Sequence, residues 1–116
     1  MKVYCYSKCS TCKKALNFLD KKKIKYEKID IKTAPPSYEE LLDYYHKSNL
    51  PIKKFINTSG LLYKELKLKD KLPTMSDEEI IKLISSDGML IKRPLLISNN
   101  QILLGFKEDE YKKIEL

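Results

Sequence analysis

Residues 2–22 read KVYCYSKCSTCKKALNFLDKK, and the periodicity of this stretch changes on either side of a cysteine pair. Residues 2–6 are rich in side chains that favour strands. Residues 11–22 carry apolar side chains at helical spacing and end in lysines, which a helix C-terminus favours. The stretch therefore predicts a strand, a turn and a helix, with Cys9 and Cys12 at the point where the helix begins.

This position gives the two cysteines different chemistry. The free backbone N–H groups and the positive dipole end of a helix N-terminus stabilise an anion, so cysteines held there have pKa values of roughly 3.5–7.5, against about 8.5 for a free cysteine. We therefore expect Cys9 to be the attacking thiolate, with a modest further push from Lys8 and Lys13. Cys12 lies almost one helical turn further on, so it is expected to resolve a mixed disulfide by forming a Cys9–Cys12 bond.

Two alternative interpretations of the cysteine pair have less support. Half of a zinc ribbon is the usual competitor, but the chain has three cysteines and one histidine, so a metal site could be completed only with His46. Chance pairing of structural cysteines is the other alternative. We expect Cys5, inside the first strand, to be a small buried apolar residue, and His46 to lie on the surface or at a helix C-terminus. No metal and no organic cofactor is expected.

The middle of the chain is predicted to be helical. Residues 24–31 form a second strand candidate, which completes a strand–helix–strand unit with a right-handed parallel crossover. Pro35 and Pro36 end that unit, and a helical insertion then runs from about residue 37 to about residue 86. It contains two capping boxes, which begin at Ser37 and Ser76. Helices are predicted over 37–47, 50–56, with Pro51 in its first turn, 61–66, and from 76 to about 86.

Strands return near the end of the sequence. Residues 94–98 and 101–104 are strand candidates joined by a turn at Asn99–Asn100, and residues 108–113 favour a closing helix. The element order is that of an α/β thioredoxin-like (glutaredoxin-like) fold: a mixed four-stranded sheet with a helical insertion and an antiparallel last pair of strands. We expect one domain over residues 1–116.

Composition limits the classes of partner. The formal net charge is +7 and the pI is near 9.2, but Arg93 is the only arginine among 23 basic residues, and the lysines are spread along the chain. This distribution favours a solvated basic surface over a nucleic-acid footprint, so no direct nucleic-acid binding is expected. Anionic small molecules remain plausible partners. No apolar run approaches the ~18 residues of a membrane span and no signal peptide is recognisable, so a cytoplasmic protein without a membrane association is expected.

Arg93-Pro94 is the second element that carries chemistry. In thioredoxin-like folds a cis proline begins the third strand opposite the dithiol, although only about 5–6% of X-Pro bonds are cis in folded proteins. An arginine beside that proline would project toward Cys9 and recognise an oxyanion or carboxylate through paired hydrogen bonds. The alternatives are a surface salt bridge for Arg93 and an ordinary strand-edge proline at Pro94.

Four segments together resemble the arsenate reductase-like family, which includes the glutaredoxin-coupled arsenate reductases and the Spx-type regulators. They are residues 8–12 (KCSTC), 57–60 (NTSG) with 63–66 (YKEL), 86–94 (SDGMLIKRP) and 105–110 (GFKEDE). The resemblance spans essentially the whole chain. It implies a thioredoxin-like core with a helical insertion, a catalytic cysteine at Cys9 and an active-site arginine at Arg93.

The sequence departs from both branches of that family. Arsenate reductases of this type use a single cysteine and three arginines, whereas here Cys12 replaces a serine, and two arginine positions fall on Asn57 and Gly105. Spx-type regulators share the Cys-x-x-Cys pair and the Arg-Pro step, but their polymerase-contacting glycine is replaced near Leu50-Pro51.

Three hypotheses follow. The leading one is a thiol–disulfide oxidoreductase in which Cys9 attacks, Arg93 holds negative charge and Cys12 resolves, with glutathione, glutaredoxin or thioredoxin as the electron donor. The alternative is an Spx-type redox regulator that binds the C-terminal domain of the RNA polymerase α subunit. The third is a small binding domain with a vestigial dithiol. The residues expected to contact the substrate are Lys8, Ser10, Thr11, Lys13 and Pro94.

Overall fold

The computed structural model describes residues 1–99 and 101–114, which form a mixed four-stranded sheet flanked by helices. The strands are β1 (Lys2–Cys5), β2 (Glu27–Asp30), β3 (Leu95–Ile97) and β4 (Ile102–Leu104), in the spatial order β2-β1-β3-β4. Strand β1 pairs in parallel with β2 and antiparallel with β3, and β3 pairs antiparallel with β4. The predicted fold class is confirmed.

Six α-helices accompany the sheet in the described part of the chain. They are α1 (Ser10–Lys21), α2 (Tyr38–Ser48), α3 (Leu61–Glu65), α4 (Leu68–Lys71), α5 (Asp77–Ser85) and α6 (Glu108–Lys112). The same described residues contain three 3₁₀ turns, at Ile52–Phe55, Leu72–Thr74 and Gly88–Leu90. None of the helices in these ranges is both long and apolar enough to cross a membrane.

Both predicted capping boxes are present. The Ser37 hydroxyl accepts a hydrogen bond from the Glu40 amide at 3.1 Å, and the Glu40 carboxylate accepts one from the Ser37 amide at 3.0 Å. Ser76 and Glu79 make the same reciprocal pair, at 3.2 and 2.9 Å. Because each box satisfies N–H groups that the first turn would leave unpaired, α2 and α5 begin where the sequence indicates.

Several boundaries differ from those predicted. Strand β2 is shorter than residues 24–31, because Lys23 adopts a left-handed conformation and the Ile24 amide bonds back to the Leu19 carbonyl at 3.0 Å. The helix expected over 50–56 is only a 3₁₀ turn, which Pro51 precedes. Helix α4 and the turns after it were not predicted. The hairpin turn at Asn99–Asn100 lies partly outside the described residues.

The apolar side chains divide between the two faces of the sheet. Alternation along β1 and β3 sends Val3 and Leu96 to one face and Tyr4 and Leu95 to the other. The first face is covered by α1 and α6 and buries Val3, Cys5, Cys12, Ala15, Leu19, Leu96 and Tyr111. The second face is covered by α2 and α5 and buries residues that include Tyr4, Leu41, Phe55, Ile80, Ile81, Ile84 and Leu95. This layering fixes α1, and hence its first residues, against the end of β1.

Candidate active site

Cys9 is the N-cap residue of α1. Its backbone is extended, with φ −98° and ψ 116°, and its carbonyl accepts the first helical hydrogen bond from the Lys13 amide at 3.2 Å. A bond from the Cys9 amide to the Tyr6 carbonyl at 3.0 Å closes the turn that leads from β1 into the helix. No side chain caps this helix end. The first amides of α1 are therefore left for a charged sulfur or a bound anion.

Cys12 lies inside the same helix and is 1% exposed. The Tyr6 amide donates a hydrogen bond to the Cys12 sulfur at 3.4 Å. The Cys12 thiol also interacts with the thiols of Cys5 and Cys9. The hydrogen bond with Cys5 and then burial raise the pKa of Cys12 far above that of a free thiol. All three cysteines are free thiols; Cys9 is partly exposed, whereas Cys5 and Cys12 are buried.

Arg93 shares a cavity of about 180 Å³ with Cys9. The Arg93–Pro94 peptide bond is cis, and Pro94 directly precedes β3. The guanidinium carbon lies 5.3 Å from the centre of the Tyr6 ring, a cation–π distance, and Nη1 donates to the Met89 carbonyl at 3.4 Å. The Nε atom is buried and has no hydrogen-bond partner among the described residues. Arg93 is therefore held in place while part of its donor capacity remains unused.

The salt-bridge alternative for Arg93 is not supported. The ion pairs found among the described residues are Lys47–Asp43 and Lys112–Glu108, and both are on exposed helix faces.

A turn between the 3₁₀ segment Ile52–Phe55 and α3 forms another wall of the Cys9 cavity. Asn57, Ser59 and Gly60 line it together with Thr11 and Lys92. The buried Asn57 amide donates to the Met89 carbonyl at 3.2 Å, and its oxygen accepts from the Ser59 hydroxyl at 3.3 Å.

Gly60 leaves no room for a side chain beside this amide, since a Cβ there would lie 2.5 Å from Asn57 Nδ2. Met89 thus anchors Arg93 and Asn57 through one carbonyl.

The lining of the cavity is cationic. Lys92 and Arg93 are its two charged members, and the lining residues include no carboxylate. A cavity with this composition, lined by Cys9 and Thr11 at the start of α1, suits a small anion or the anionic end of a larger molecule.

The remaining predicted site residues do not line this cavity. Lys8 and Ser10 are exposed and Pro94 is buried, and none of these three lines the Cys9 cavity. Lys13 lines a second cavity, together with Cys12. Of the five residues expected to contact substrate, Thr11 is the one brought beside Cys9 and Arg93.

Residues that the sequence reasoning did not assign to the site include Asn57, Ser59, Gly60 and Lys92. Asn57 could have been found from the family resemblance, in which it falls at an arginine position of the arsenate reductases. Gly105, the other such position, has φ +74° and lines a neighbouring cavity of about 490 Å³ that also includes Thr11 and Lys92.

Two further predictions concern metal binding and His46. Within residues 1–99 and 101–114, no group of three or more His, Cys, Asp or Glu side chains is placed to hold a metal ion. His46 is exposed in the last turn of α2, as predicted, and its ring lies 5.5 Å from that of Tyr45.

Comparisons with known proteins show the family of the chain. A family model described as the ArsC family matches residues 4–114. The protein YusI of Bacillus subtilis is 49% identical over 110 residues, which cover 95% of this chain and 93% of YusI. The global transcriptional regulator Spx of Streptococcus agalactiae serotype V is 31% identical, over 88% of this chain and 73% of the regulator. The crystal structure of a possible arsenate reductase from Streptococcus mutans UA159 superimposes with a TM-score of 0.88 at 43% identity, covering 96% of each chain.

Proposed function

The chain belongs to the ArsC family, and we propose on that basis that it is a thiol-dependent reductase whose attacking group is the Cys9 thiolate. The observation that carries the proposal is the meeting of Cys9 and Arg93 in one cationic cavity at the start of α1. The substrate is an oxidised compound with negative charge near the atom that is reduced. Disulfides with carboxylate groups and arsenate-type oxyanions both fit this description.

The reaction has three steps. With a disulfide, the Cys9 thiolate attacks one sulfur, a Cys9–substrate mixed disulfide forms, and the other half leaves as a thiolate that takes up a proton. Cys12 then loses its proton and attacks Cys9, which forms the Cys9–Cys12 disulfide and releases the second half as a thiol. An external thiol donor, such as glutathione, glutaredoxin or thioredoxin, returns both cysteines to the thiol state.

With arsenate, the same cysteines transfer the same two electrons. Cys9 displaces one oxygen, which leaves as water, and a sulfur–arsenic bond forms. Attack of Cys12 on the Cys9 sulfur breaks that bond, and arsenic leaves as arsenite with the electron pair.

Each wall of the cavity has a role in this scheme. Arg93 and Lys92 offset the charge of the bound anion, and the amides at the start of α1 stabilise the sulfur anion before attack and the anion during transfer. The Asn57 amide already donates to Met89, so it supplies less charge stabilisation than an arginine at that position. We therefore expect a disulfide to be reduced more efficiently than arsenate.

A coupled assay tests the proposal. NADPH oxidation is followed with arsenate as substrate in a thioredoxin or a glutaredoxin reducing system. Glutathione disulfide is used in the thioredoxin system alone, and the rate without the protein is subtracted. The Cys9→Ser variant is expected to lose turnover with every substrate, because a hydroxyl at that position is not a nucleophile at neutral pH. Cys12→Ser is expected to lose at least about tenfold with the thioredoxin system, since its mixed disulfide is not resolved internally. Wild-type turnover by Cys9→Ser would refute the mechanism.

A redox regulator of the Spx type is the second candidate, and the 31% identity to a protein named as such a regulator favours it. In that function the Cys9–Cys12 disulfide changes a surface that binds the RNA polymerase α subunit, without turnover. Pull-downs with the oxidised and the reduced protein separate the two functions. Redox-dependent recovery of the α subunit, together with no turnover in the coupled assay, would favour the regulator.

A further inference from the structure

Cys5 is not an isolated apolar residue of the core. It ends β1, is 5% exposed, and lies with Cys12, which is 1% exposed, in the buried cluster against which Cys9 packs. Cys5 and Cys12 also line one cavity. The Cys12 thiol is close enough to interact with the thiols of both Cys5 and Cys9.

The two partners of Cys12 belong to different cavities. Cys9 lines the cavity of about 180 Å³ that contains Arg93. Cys5 and Cys12 line a separate cavity of about 330 Å³ with Lys13, Lys28 and Asp30. No residue is common to the two linings. The thiols thus form a chain that begins at one cavity and ends at the other, with Cys12 in the middle.

The surroundings of Cys5 favour chemistry over simple packing. In the reduced protein the hydrogen bond from the Cys12 thiol lowers the pKa of Cys5, burial opposes this change, and Lys28 assists it. Once Cys12 is in a disulfide it has no proton to donate, and Lys28 is then the group that favours the Cys5 thiolate. Within residues 1–99 and 101–114 the Tyr111 hydroxyl, buried in the same cluster, has no hydrogen-bond partner, and its pKa is raised by burial and by the neighbouring Cys5 and Cys12. An apolar side chain at position 5, like that of Val3 two residues earlier on the same face of β1, would fill the space without placing a thiol in the core.

We propose that Cys5 is a third redox thiol, which takes the disulfide over from Cys9–Cys12 and leaves Cys9 free. The proposal rests on the proposed function, because it begins from the Cys9–Cys12 disulfide.

The exchange is internal and balanced. Cys5 loses its proton and attacks the Cys12 sulfur, a Cys5–Cys12 bond forms, the Cys9–Cys12 bond breaks, and Cys9 leaves as a thiolate. One disulfide is consumed and one is formed, so no oxidant or reductant is needed beyond the substrate that oxidised Cys9. The released thiolate stands again beside Arg93, ready for a second substrate before the external donor arrives.

Tryptic mapping distinguishes the two disulfides, because cleavage after Lys2, Lys8 and Lys13 puts Cys5 in peptide 3–8 and both other cysteines in peptide 9–13. The reduced full-length protein is mixed with glutathione disulfide, quenched at intervals with N-ethylmaleimide, digested and analysed by mass spectrometry. The Cys9–Cys12 bond stays within one peptide. The Cys5–Cys12 bond joins two peptides, with the maleimide on Cys9.

The expected time course has the internal bond first and the cross-linked peptides second, with the cross-linked form reaching at least about a tenth of the oxidised protein. In Cys9→Ser the cross-linked peptides are expected to form at least about tenfold more slowly, because both remaining thiols are buried and lack the entry point. Cys5→Ala should stop at the internal bond. Val3→Ala, a similar truncation on the same face of β1 without loss of a thiol, should behave as the wild type.

The outcomes separate the two proposals. If the wild type stops at the internal bond, the role of Cys5 is wrong and the proposed function stands. If Cys9→Ser forms the cross-linked peptides as fast as the wild type, the Cys5–Cys12 pair oxidises independently and the transfer is wrong. If neither disulfide forms in any variant, the proposed function itself is wrong. The wild-type and Cys9→Ser time courses decide the question even if Cys5→Ala does not fold.

Discussion

Arg93 illustrates how a single side chain is prepared for an anion. Its guanidinium is held by the Tyr6 ring and by the Met89 carbonyl, and its buried Nε bonds to none of the residues that the structure describes. One guanidinium N–H group donates to Met89, so further donors remain for an oxyanion or carboxylate in the cavity that Arg93 lines. The planar fork of arginine is suited to such a partner in a way that the point charge of lysine is not.

Substitution of Arg93 tests this interpretation. We expect Arg93→Lys to lower kcat/KM for glutathione disulfide or arsenate about tenfold, because the anion loses its paired hydrogen bonds. Arg93→Met should lower kcat/KM about a hundredfold, because the positive charge is lost as well. Both changes are expected mainly in KM. Lys82→Met, on the exposed face of α5, is the matched control and should stay within about twofold. An unchanged KM in Arg93→Met would show that this residue does not bind the substrate.

At the scale of the elements, the 3₁₀ turn Gly88–Leu90 connects the core to the site. The Met89 carbonyl in this turn accepts hydrogen bonds from Arg93 and Asn57. An antiparallel bridge between Ile91, just after the turn, and Ile56 holds the segment that contains Asn57 against it. Gly88 packs directly on the main chain after β2, where an added Cβ would lie 1.8 Å from the Ile31 carbonyl oxygen. Position 88 therefore accepts only glycine in this backbone arrangement.

Replacement of Gly88 should disturb stability and activity together. We expect Gly88→Ala to lower the free energy of unfolding by about 3 kcal/mol or more, because the clash is with backbone and not with a movable side chain. Urea unfolding followed by circular dichroism measures the loss. Ser86→Ala, at an exposed position two residues earlier, should change stability by less than about 0.5 kcal/mol. Wild-type stability in Gly88→Ala would contradict the packing described here.

The elements that the sequence predicted are those with local signals. The capping boxes at Ser37 and Ser76 locate α2 and α5, and the change of periodicity around Cys9 locates β1 and α1. Helix α4 and the 3₁₀ turns are three or four residues long, which is too short for an apolar period to show. The break between α3 and α4 depends on the left-handed backbone of Lys67, a residue without a marked preference for that conformation.

At the scale of the whole molecule, the fold brings residues to Cys9 and Cys12 that no local sequence pattern could predict. Cys5 meets Cys12 because α1 packs on the sheet face that bears Val3 and Cys5, and Asn57 reaches the Cys9 cavity because the Ile56–Ile91 bridge brings distant segments together. The sequence supplied the attacking and resolving thiols and Arg93 as candidates. Contacts between segments far apart in the chain supplied the walls of the cavity.

The central claim is that Cys9 attacks and Cys12 resolves, and trapping the intermediate tests it most directly. Cys12→Ser is mixed with glutathione disulfide, quenched with N-ethylmaleimide, digested with trypsin and analysed by mass spectrometry. The account predicts about one glutathione per protein, carried on Cys9 in peptide 9–13, whereas the wild type under the same conditions carries little adduct and an internal disulfide instead. An adduct on Cys5, or no adduct at all in Cys12→Ser, would contradict it.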